Sequence, residues 1–370
     1  MTEDRLYALL ERWLLRKTQA NSIRRVGDLP VAIATDIGLV REENQDRVAV
    51  ARFRGRDGAA MVVVILCDGM GGMTAGAVCA TMTLARFVAS LVYGSQGIAL
   101  NERVLQATHA ANMVVHERFH ASGGATLSAL VLTSGGQLVG VNVGDSRIYE
   151  FKRQPLTLSQ ITVDDTLAAQ LGHRGEAHIG RNELLQYVGI GSEIEPHLLS
   201  PSAKFDESAL LLTSDGVHFL PHDAIARVMG HAGDPALGIR RLVELSKWCG
   251  GHDNASAALV ASFPSLPPAD HETDRVLEVW DPFGELQILL EDPPRLPAEQ
   301  KPADYEERPR DGANPAPLKP KTERPKRYRP PKRQKATTGK EDPDSHKVEG
   351  EGDQEAPQLR IDFPGKTPNQ

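Results

Sequence analysis

Four aspartates each stand at the end of a short apolar run or inside a tight turn. Asp68 and Asp215 follow runs rich in Val, Ile and Leu, whereas Asp46 and Asp253 lie in turns that contain Asn or Gly. One such aspartate is usually a turn former. A carboxylate that ends a buried strand points into the mouth of the sheet, so four of them together resemble a cage for hard cations such as Mg²⁺ or Mn²⁺.

Short runs enriched in Val and Ile predict strands, and longer stretches with apolar residues at helical spacing predict helices. The predicted strands are 31–35, 46–53, 61–67, 126–133, 137–143, 146–151, 209–214 and 256–262. The predicted helices are 75–93, 99–119, 222–229 and 236–249. Tight turns such as the one at Gly135-Gly136 join neighbouring strands, which favours antiparallel pairing. The order of the elements predicts an α+β fold, with antiparallel sheets whose outer faces are covered by helices.

Composition changes sharply near Pro264, because 18 of the 25 prolines lie after it. We therefore predict a globular domain over 30–264 and a Pro-rich, charged, mostly disordered tail over 265–370. Short apolar segments at 276–280, 286–290 and 359–363 interrupt this tail. They could fold onto a protein partner, which we favour, or pack back on the domain.

The first 29 residues contain an amphipathic helix, which is treated as a separate N-terminal feature. Its apolar positions recur at helical spacing: Leu6, Leu9, Leu10, Trp13 and Leu14. Three interpretations stay open, namely docking on its own domain, binding a partner or second copy, and weak binding to a membrane surface.

Charge and cysteine content exclude some function classes. The net charge of −7 makes nucleic-acid binding unlikely, although the basic block at 319–335 could be a solvated linker or could bind an acidic partner or nucleic acid. The chain has three cysteines (Cys67, Cys79 and Cys249) without metal-type spacing, which fits a reducing cytoplasm. We also expect no membrane span, since no apolar run approaches the length required.

The residues beside the aspartates suggest phosphoryl chemistry. The glycines after Asp68 allow the backbone to approach a ligand closely, and they leave the Gly69 carbonyl free to act as a metal ligand. Arg41 is the candidate phosphate ligand, because a guanidinium can hold two phosphate oxygens at once. Two divalent ions in such a cage would lower the pKa of a shared water.

Several motifs in fixed order resemble the metal-dependent protein phosphatases of the 2C type, on their bacterial branch. The resemblance spans 30–264 and is carried by Arg41…Asn44-Gln45-Asp46, Asp68-Gly69-Met70-Gly71-Gly72, Gly124-Ala125-Thr126, Asn142-Val143-Gly144-Asp145-Ser146-Arg147, Ser214-Asp215-Gly216 and Asp253-Asn254. It implies a β-sandwich of two antiparallel sheets flanked by helices, with the metals at one end.

The resemblance also implies roles for individual residues. Asp46, Asp68, Asp215 and Asp253 match the ligands of two Mn²⁺ or Mg²⁺ ions, with Asp68 bridging and the Gly69 carbonyl assisting. Asp145 matches a ligand of a possible third ion, although it could also simply cap its turn, and Arg41 matches the phosphate-binding arginine. The implied reaction is hydrolysis of phosphoserine or phosphothreonine by metal-activated water, with Arg41, Asp46 and Asp68 as catalytic residues. The implied partners are phosphoprotein substrates and an opposing Ser/Thr kinase.

The chain also departs from the family pattern. Met70 replaces the histidine that animal members have there, and Asp165 stands where the family usually has histidine. The insert at about 152–200 corresponds to a mobile flap. We expect Arg147 to pair with a neighbouring carboxylate and Cys67 to be a buried, inert thiol. Two other functions remain open: a catalytically weak scaffold that binds partners through its tail, and a phosphatase for a small molecule or an anti-sigma-type regulator.

Overall fold

The Val- and Ile-rich runs form strands, because β-branched side chains pack well on a pleated, half-buried surface. The computed structural model describes residues 1–55, 59–70, 75–94, 97–171, 183–199, 208–262 and 276–290. All of these ranges belong to one compact unit, Met1–Gln300.

Strands and helices alternate in blocks along the chain. The strands are β1 (Asn21–Arg25), β2 (Val31–Asp36), β3 (Arg47–Arg54), β4 (Ala60–Cys67), β5 (Leu127–Thr133), β6 (Leu138–Val143), β7 (Arg147–Arg153), β8 (Leu156–Gln160), β9 (His197–Leu199), β10 (Ser208–Thr213), β11 (Ala255–Val260), β12 (Val276–Asp281) and β13 (Gly284–Leu289). The helices are α1 (Glu3–Leu14), α2 (Gly76–Tyr93), α3 (Leu100–Phe119), α4 (Leu167–Gln170), α5 (Asp215–His218), α6 (His222–Gly230) and α7 (Pro235–Trp248).

The strands form two antiparallel sheets that pack face to face. One sheet has the order β1-β2-β11-β10-β7-β8, and the other has the order β13-β12-β3-β4-β5-β6-β9. Apolar side chains from the inner faces of both sheets meet in one core, among them Ile33, Val50, Val64 and Leu212. The predicted β-sandwich with helices on its outer faces is therefore confirmed.

Helices cover the outer face of each sheet and so complete the layers. Helices α1, α2 and α3 bury their apolar sides against the second sheet, where Leu10, Phe87 and Ala111 belong to one cluster with strand residues such as Ile65. Helices α5, α6 and α7 cover the first sheet, through residues such as Val217, Ile225 and Leu242.

The N-terminal helix docks on its own domain, which selects one of the three open interpretations. Leu6, Leu10 and Leu14 are buried, and Thr2 caps the helix by accepting a hydrogen bond from Arg5 N. At its other end, Arg16 pairs with Asp281 at 2.7 Å. Because β1 then joins a sheet edge, residues 1–29 are built into the domain rather than standing apart from it.

The C-terminal boundary at 264 also needs correction. The apolar segments at 276–280 and 286–290, for which we favoured partner docking, form the β12–β13 hairpin, and β12 pairs with β3. Trp280 is 2% exposed and joins the core between the sheets. These residues therefore complete the sandwich, whereas the rest of the predicted tail, including 359–363, lies outside the described residues.

Helix α2 qualifies the expectation that no segment could span a membrane. Within the described residues it is the one helix long and apolar enough to do so by length and composition, and 78% of it is buried inside the protein. A buried core helix passes the same test, so this is weak evidence for a span. Its apolar character is explained by its position between α1, α3 and the second sheet.

Candidate metal and active site

The topology brings the aspartates of the motifs to one end of the sandwich. Asp46 directly precedes β3 and Asp68 directly follows β4, and these strands pair so that Arg47 lies opposite Cys67. In the other sheet, Asp215 follows β10, whose Thr213 pairs with Ala257 of β11. Asp253 precedes β11, so all four carboxylates belong to the same end of two adjacent strand pairs.

The carboxylates influence one another strongly. Burial and the charges of Asp215 and Asp253 raise the pKa of Asp46 to about 7, although hydrogen bonds with Ser214 and Ser256 act in the opposite direction. Burial followed by the charge of Asp46 raises the pKa of Asp68 well above its ordinary value. Burial and the charges of Asp215 and Asp164 raise the pKa of Asp145 to about 7. Such a group of carboxylates is costly unless a cation offsets the charge.

Asp215 shows the same effect. Burial and the charge of Asp253 raise its pKa to about 6, while Arg41 and Asp68 act in the opposite direction. A cation close to these carboxyl groups would offset their negative charge.

The surroundings of Asp46 favour a cation as well. Ser214 donates a hydrogen bond of 2.7 Å from Oγ to Asp46 Oδ2. The other oxygen, Oδ1, is buried without a hydrogen-bond partner, in a residue that is 3% exposed. A buried carboxylate oxygen without a donor is unfavourable, and a hard cation would satisfy it.

The carboxylate groups do not lie close enough together to surround a cation as they stand. Within the described ranges, no three His, Cys, Asp or Glu side chains are arranged as a recognisable metal group. Mutual repulsion of unneutralised carboxylates opposes such an arrangement, and the raised pKa values show that they still interact. The donor set is all oxygen, which suits Mg²⁺ or Mn²⁺ and not a thiolate-bound metal.

Close packing explains the glycine after Asp68. A Cβ at Gly69 would collide with the Gly76 carbonyl, and it would lie 2.8 Å from the Gln45 carbonyl oxygen. Gly69 also forms a bridge with Ala125. Only glycine fits here, because any side chain would collide with these two carbonyl groups.

Arg41 lies in the exposed loop before β3 and reaches the same carboxylates. Its Nη2 donates to Asp253 Oδ2 at 2.7 Å. That hydrogen bond is the main cause that raises the pKa of Arg41, and Asp215 and Asp68 contribute. The guanidinium is 40% exposed, so it stands at the mouth of the carboxylate cluster with hydrogen-bond donors still available.

Asn254 fixes the loop that carries Arg41 and Asp46. Its side-chain oxygen accepts from Gln45 N at 2.8 Å, and its amide donates to the carbonyls of Ile37 and Glu43. The backbone N–H of Asn254 donates to Asp253 Oδ1 at 2.8 Å. One asparagine therefore holds the two loops in register.

Buried hydroxyl groups support the cluster from behind, and the sequence analysis missed them. Asp68 N donates to Thr126 Oγ1 at 2.9 Å, and that oxygen lies 2.6 Å from Ser146 Oγ. Thr126 and Ser128 seem isolated in the sequence, yet both point into this network. The available sequence clue is that small hydroxyl residues recur at the strand ends next to the motif aspartates.

Asp145 lies in the turn between β6 and β7, and two neighbouring aspartates hold that turn. Arg147 pairs with Asp164, Nη2 to Oδ2, at 2.6 Å, as expected of a residue that binds a neighbouring carboxylate. Asp165 accepts from Gly144 N at 2.8 Å and pairs with His197 at 2.7 Å. Asp165 therefore connects the turn of Asp145 with β9, whereas 172–182, within the predicted flap, lies outside the described residues.

No protein-family model matches the chain. The Ser/Thr protein phosphatase PstP of Mycobacterium tuberculosis is 32% identical over 243 residues, which are 62% of this chain and 44% of PstP. The chain thus matches less than half of the length of PstP. Protein phosphatase PhpP of Streptococcus pneumoniae is 28% identical over 249 residues, which are 63% of this chain and 97% of PhpP.

Solved structures give the same result. The catalytic domain of PstP, solved with two manganese ions, has a TM-score of 0.51 and 28% identity, covering 65% of this chain and 97% of that domain. The phosphatase MsPP of Mycobacterium smegmatis, a PPM Ser-Thr phosphatase solved with cacodylate, has a TM-score of 0.52 and 28% identity, covering 63% of this chain and 97% of its own. The chain is therefore similar, in sequence and in fold, to bacterial Ser/Thr protein phosphatases of the 2C type.

Proposed function

We propose that this chain is a metal-dependent phosphatase that hydrolyses phosphoserine and phosphothreonine in proteins. The observation that carries the proposal is the convergence of Asp46, Asp68, Asp215 and Asp253 at one end of the sandwich, with Arg41 at its mouth. Relatives of this architecture are Ser/Thr protein phosphatases, and one of them binds two manganese ions.

In this proposal Asp46, Asp68, Asp215 and Asp253, together with the Gly69 carbonyl, would hold two Mn²⁺ or Mg²⁺ ions. Asp145 would contribute to a third site. When bound, the ions supply an activated water and offset charge on the phosphoryl group. The unpartnered Oδ1 of Asp46 and the raised pKa values of the cluster support this assignment.

The protein's own residues do the positioning. Arg41 keeps donors free beside Asp253 and can hold two phosphate oxygens of the substrate in a fixed orientation. Ser214 holds Asp46, and Thr126 holds the backbone of Asp68, so that the carboxylates cannot turn away. Met70 cannot donate a proton, so the departing serine or threonine oxygen must take its proton from water or from another group.

The direct test is hydrolysis of p-nitrophenyl phosphate and of a phosphothreonine peptide, with Mn²⁺, with Mg²⁺ and with EDTA. We expect turnover with either metal and none in EDTA. Asp68→Asn should reduce turnover by at least ~100-fold, because it removes a negative charge from the proposed metal site. Asp223→Asn is the matched control, since Asp223 is an exposed aspartate on α6 that pairs only with Arg227 among described contacts.

Each outcome separates the proposal from its alternatives. Turnover that needs metal and Asp68 supports the phosphatase. No turnover by the intact chain with Mn²⁺ would instead favour a scaffold that binds partners. Turnover of p-nitrophenyl phosphate together with no turnover of the phosphothreonine peptide would favour a phosphatase for small molecules.

The wider setting belongs to the same proposal. We infer a phosphoprotein substrate, an opposing Ser/Thr kinase, a protein partner for the tail beyond residue 290, and a cytoplasmic location. The cysteines Cys67, Cys79 and Cys249 fit a reducing compartment. Co-purification of the full chain and of a chain ending at residue 290 would test the tail partner, which only the full chain should retain.

A further inference from the structure

Three large apolar side chains are exposed on the loops that carry Arg41 and Asp253. Trp248, at the end of α7, is 89% exposed, and Leu39 and Val40 are 64% and 63% exposed. We call these residues the apolar rim. Exposed tryptophan is unusual, because this side chain loses much free energy when it faces water and is enriched where proteins bind partners.

The two loops that bear the apolar rim are fastened together. Leu39 N donates to the Gly251 carbonyl at 2.8 Å, and a Cβ on Gly251 would lie 3.0 Å from Leu39 Cγ. Lys247, the neighbour of Trp248, pairs with Asp36 at 3.0 Å. The residues of the apolar rim therefore belong to loops that are packed and hydrogen-bonded to each other, and their side chains are exposed although the backbone is held in place.

The apolar rim is continuous with the proposed phosphate site. Val40 is bonded to Arg41, which contacts Asp253 at 2.7 Å. Trp248 lies five residues before Asp253 along the chain, so their Cα atoms are at most about 18 Å apart. An extended peptide advances about 3.3 Å per residue. A substrate whose phosphate lies at Arg41 can therefore reach the apolar rim within about five residues.

We propose that the apolar rim binds an apolar side chain of the phosphoprotein substrate, close in sequence to the phosphorylated residue. This inference rests on the proposed phosphatase function and adds a substrate preference to it. The recognised chemistry is a phosphoserine or phosphothreonine with a leucine-like or aromatic side chain within about five positions. Trp248 provides the main contact, since its ring offers a large apolar surface that loses little conformational entropy on binding.

The test uses the full chain loaded with Mn²⁺ and a set of phosphothreonine peptides in which one leucine moves through the flanking positions of an otherwise polar sequence. We expect one position to give the highest kcat/KM. For that peptide, Trp248→Ala should raise KM by about tenfold, the equivalent of 1.4 kcal/mol, with kcat changed less than twofold. Trp248→Phe should keep most of the preference.

Two controls keep the result specific. Leu289→Ala removes a side chain of similar exposure, 68%, on the edge strand β13, and it should leave every peptide unaffected. p-Nitrophenyl phosphate has no flanking residues and therefore reports on the metal centre without any peptide contact. If the unmodified chain does not turn over this compound, the proposed function fails before the apolar rim is tested.

If the unmodified chain hydrolyses p-nitrophenyl phosphate, but Trp248→Ala has the same KM and kcat as the unmodified chain for every peptide, the apolar rim is not a substrate site. A change in sedimentation on Trp248→Ala, without a change in KM, would overturn the proposal in favour of a contact between two copies. A loss of vesicle binding without a change in KM would overturn it in favour of a lipid surface.

Discussion

At the scale of single residues, the carboxylates depend on the hydroxyl groups behind them. Ser214 is the clearest case, since its Oγ donates to Asp46 at 2.7 Å and accepts from Ser256 N at 2.9 Å. Both partners are buried, so neither can turn to water if the hydroxyl is removed. Removal of a group that orients a metal ligand typically weakens metal affinity by roughly 10–100-fold.

We therefore expect Ser214→Ala to weaken Mn²⁺ binding by roughly 10–100-fold and to lower the free energy of unfolding by about 1–3 kcal/mol. Isothermal titration with Mn²⁺ and urea denaturation would measure the two effects. Ser208→Ala is a suitable control, because Ser208 starts β10, the strand that Ser214 follows, and its buried Oγ has no hydrogen-bond partner. Equal effects of the two changes would show that the contact with Asp46 has no special role.

These hydroxyl groups also show what a sequence can reveal about such a site. The aspartates stand out because each ends an apolar run or sits in a turn, which is a local pattern. Thr126 acts through Asp68, 58 positions away, and Ser214 acts through Asp46, 168 positions away. Only the pairing of the strands brings these residues together, so the local pattern shows a hydroxyl at a strand end but not the aspartate that it contacts.

At the scale of elements, helix α1 packs on the domain through the apolar side chains of one face. Leu10 is fully buried against α2 and the second sheet, whereas its neighbour Leu9 is 42% exposed. Leu10→Ala should lower the free energy of unfolding by roughly 2–5 kcal/mol, and Leu9→Ala should change it by less than about 1 kcal/mol. Chemical denaturation of both variants measures the difference, and alanine suits a helix at either position.

The opposite result would change the account of this helix. Similar small losses for the two variants would mean that α1 does not depend on docking. A melting temperature that rises with protein concentration, and that Leu9→Ala abolishes, would support the dimerising helix that the sequence also allowed.

The eight predicted strands and the four predicted long helices lie within one or two residues of observed elements, because alternation and helical spacing are local features. The short strands β1, β8 and β9 were not predicted. The β12–β13 hairpin was not placed correctly, since its apolar residues fit a partner surface as well as this domain. Its position depends on pairing with β3, where Arg52 donates to Glu278 at 2.6 Å across 226 positions. Such long-range pairing cannot be read from the apolar pattern of the hairpin alone.

At the scale of the whole molecule, the carboxylate cluster couples stability to pH and to metal. The pKa of Asp46 and of Asp145 is raised to about 7, and that of Asp215 to about 6, against about 3.9 in an unfolded chain. Between pH ~4 and ~7 the folded, metal-free protein therefore holds more protons than the unfolded chain. The free energy of unfolding then falls as pH rises through this window.

The free energy of unfolding should be compared between the unmodified chain and Asp46→Asn, both in EDTA. Asp46→Asn should be the more stable of the two at pH 8, and the difference should shrink towards pH 5, where Asp46 is protonated. Buried His218, whose pKa is lowered by burial, has an opposite effect at acid pH, but it is shared by both proteins and cancels. Mn²⁺ at 100 times its dissociation constant should stabilise the unmodified chain by about 2.7 kcal/mol at pH 8 and Asp46→Asn by much less. Thermal melts of both proteins at pH 5 and pH 8, with EDTA and with Mn²⁺, give the stability difference between them under each of the four conditions. A difference in EDTA that does not vary with pH would show that Asp46 is not the titrating group.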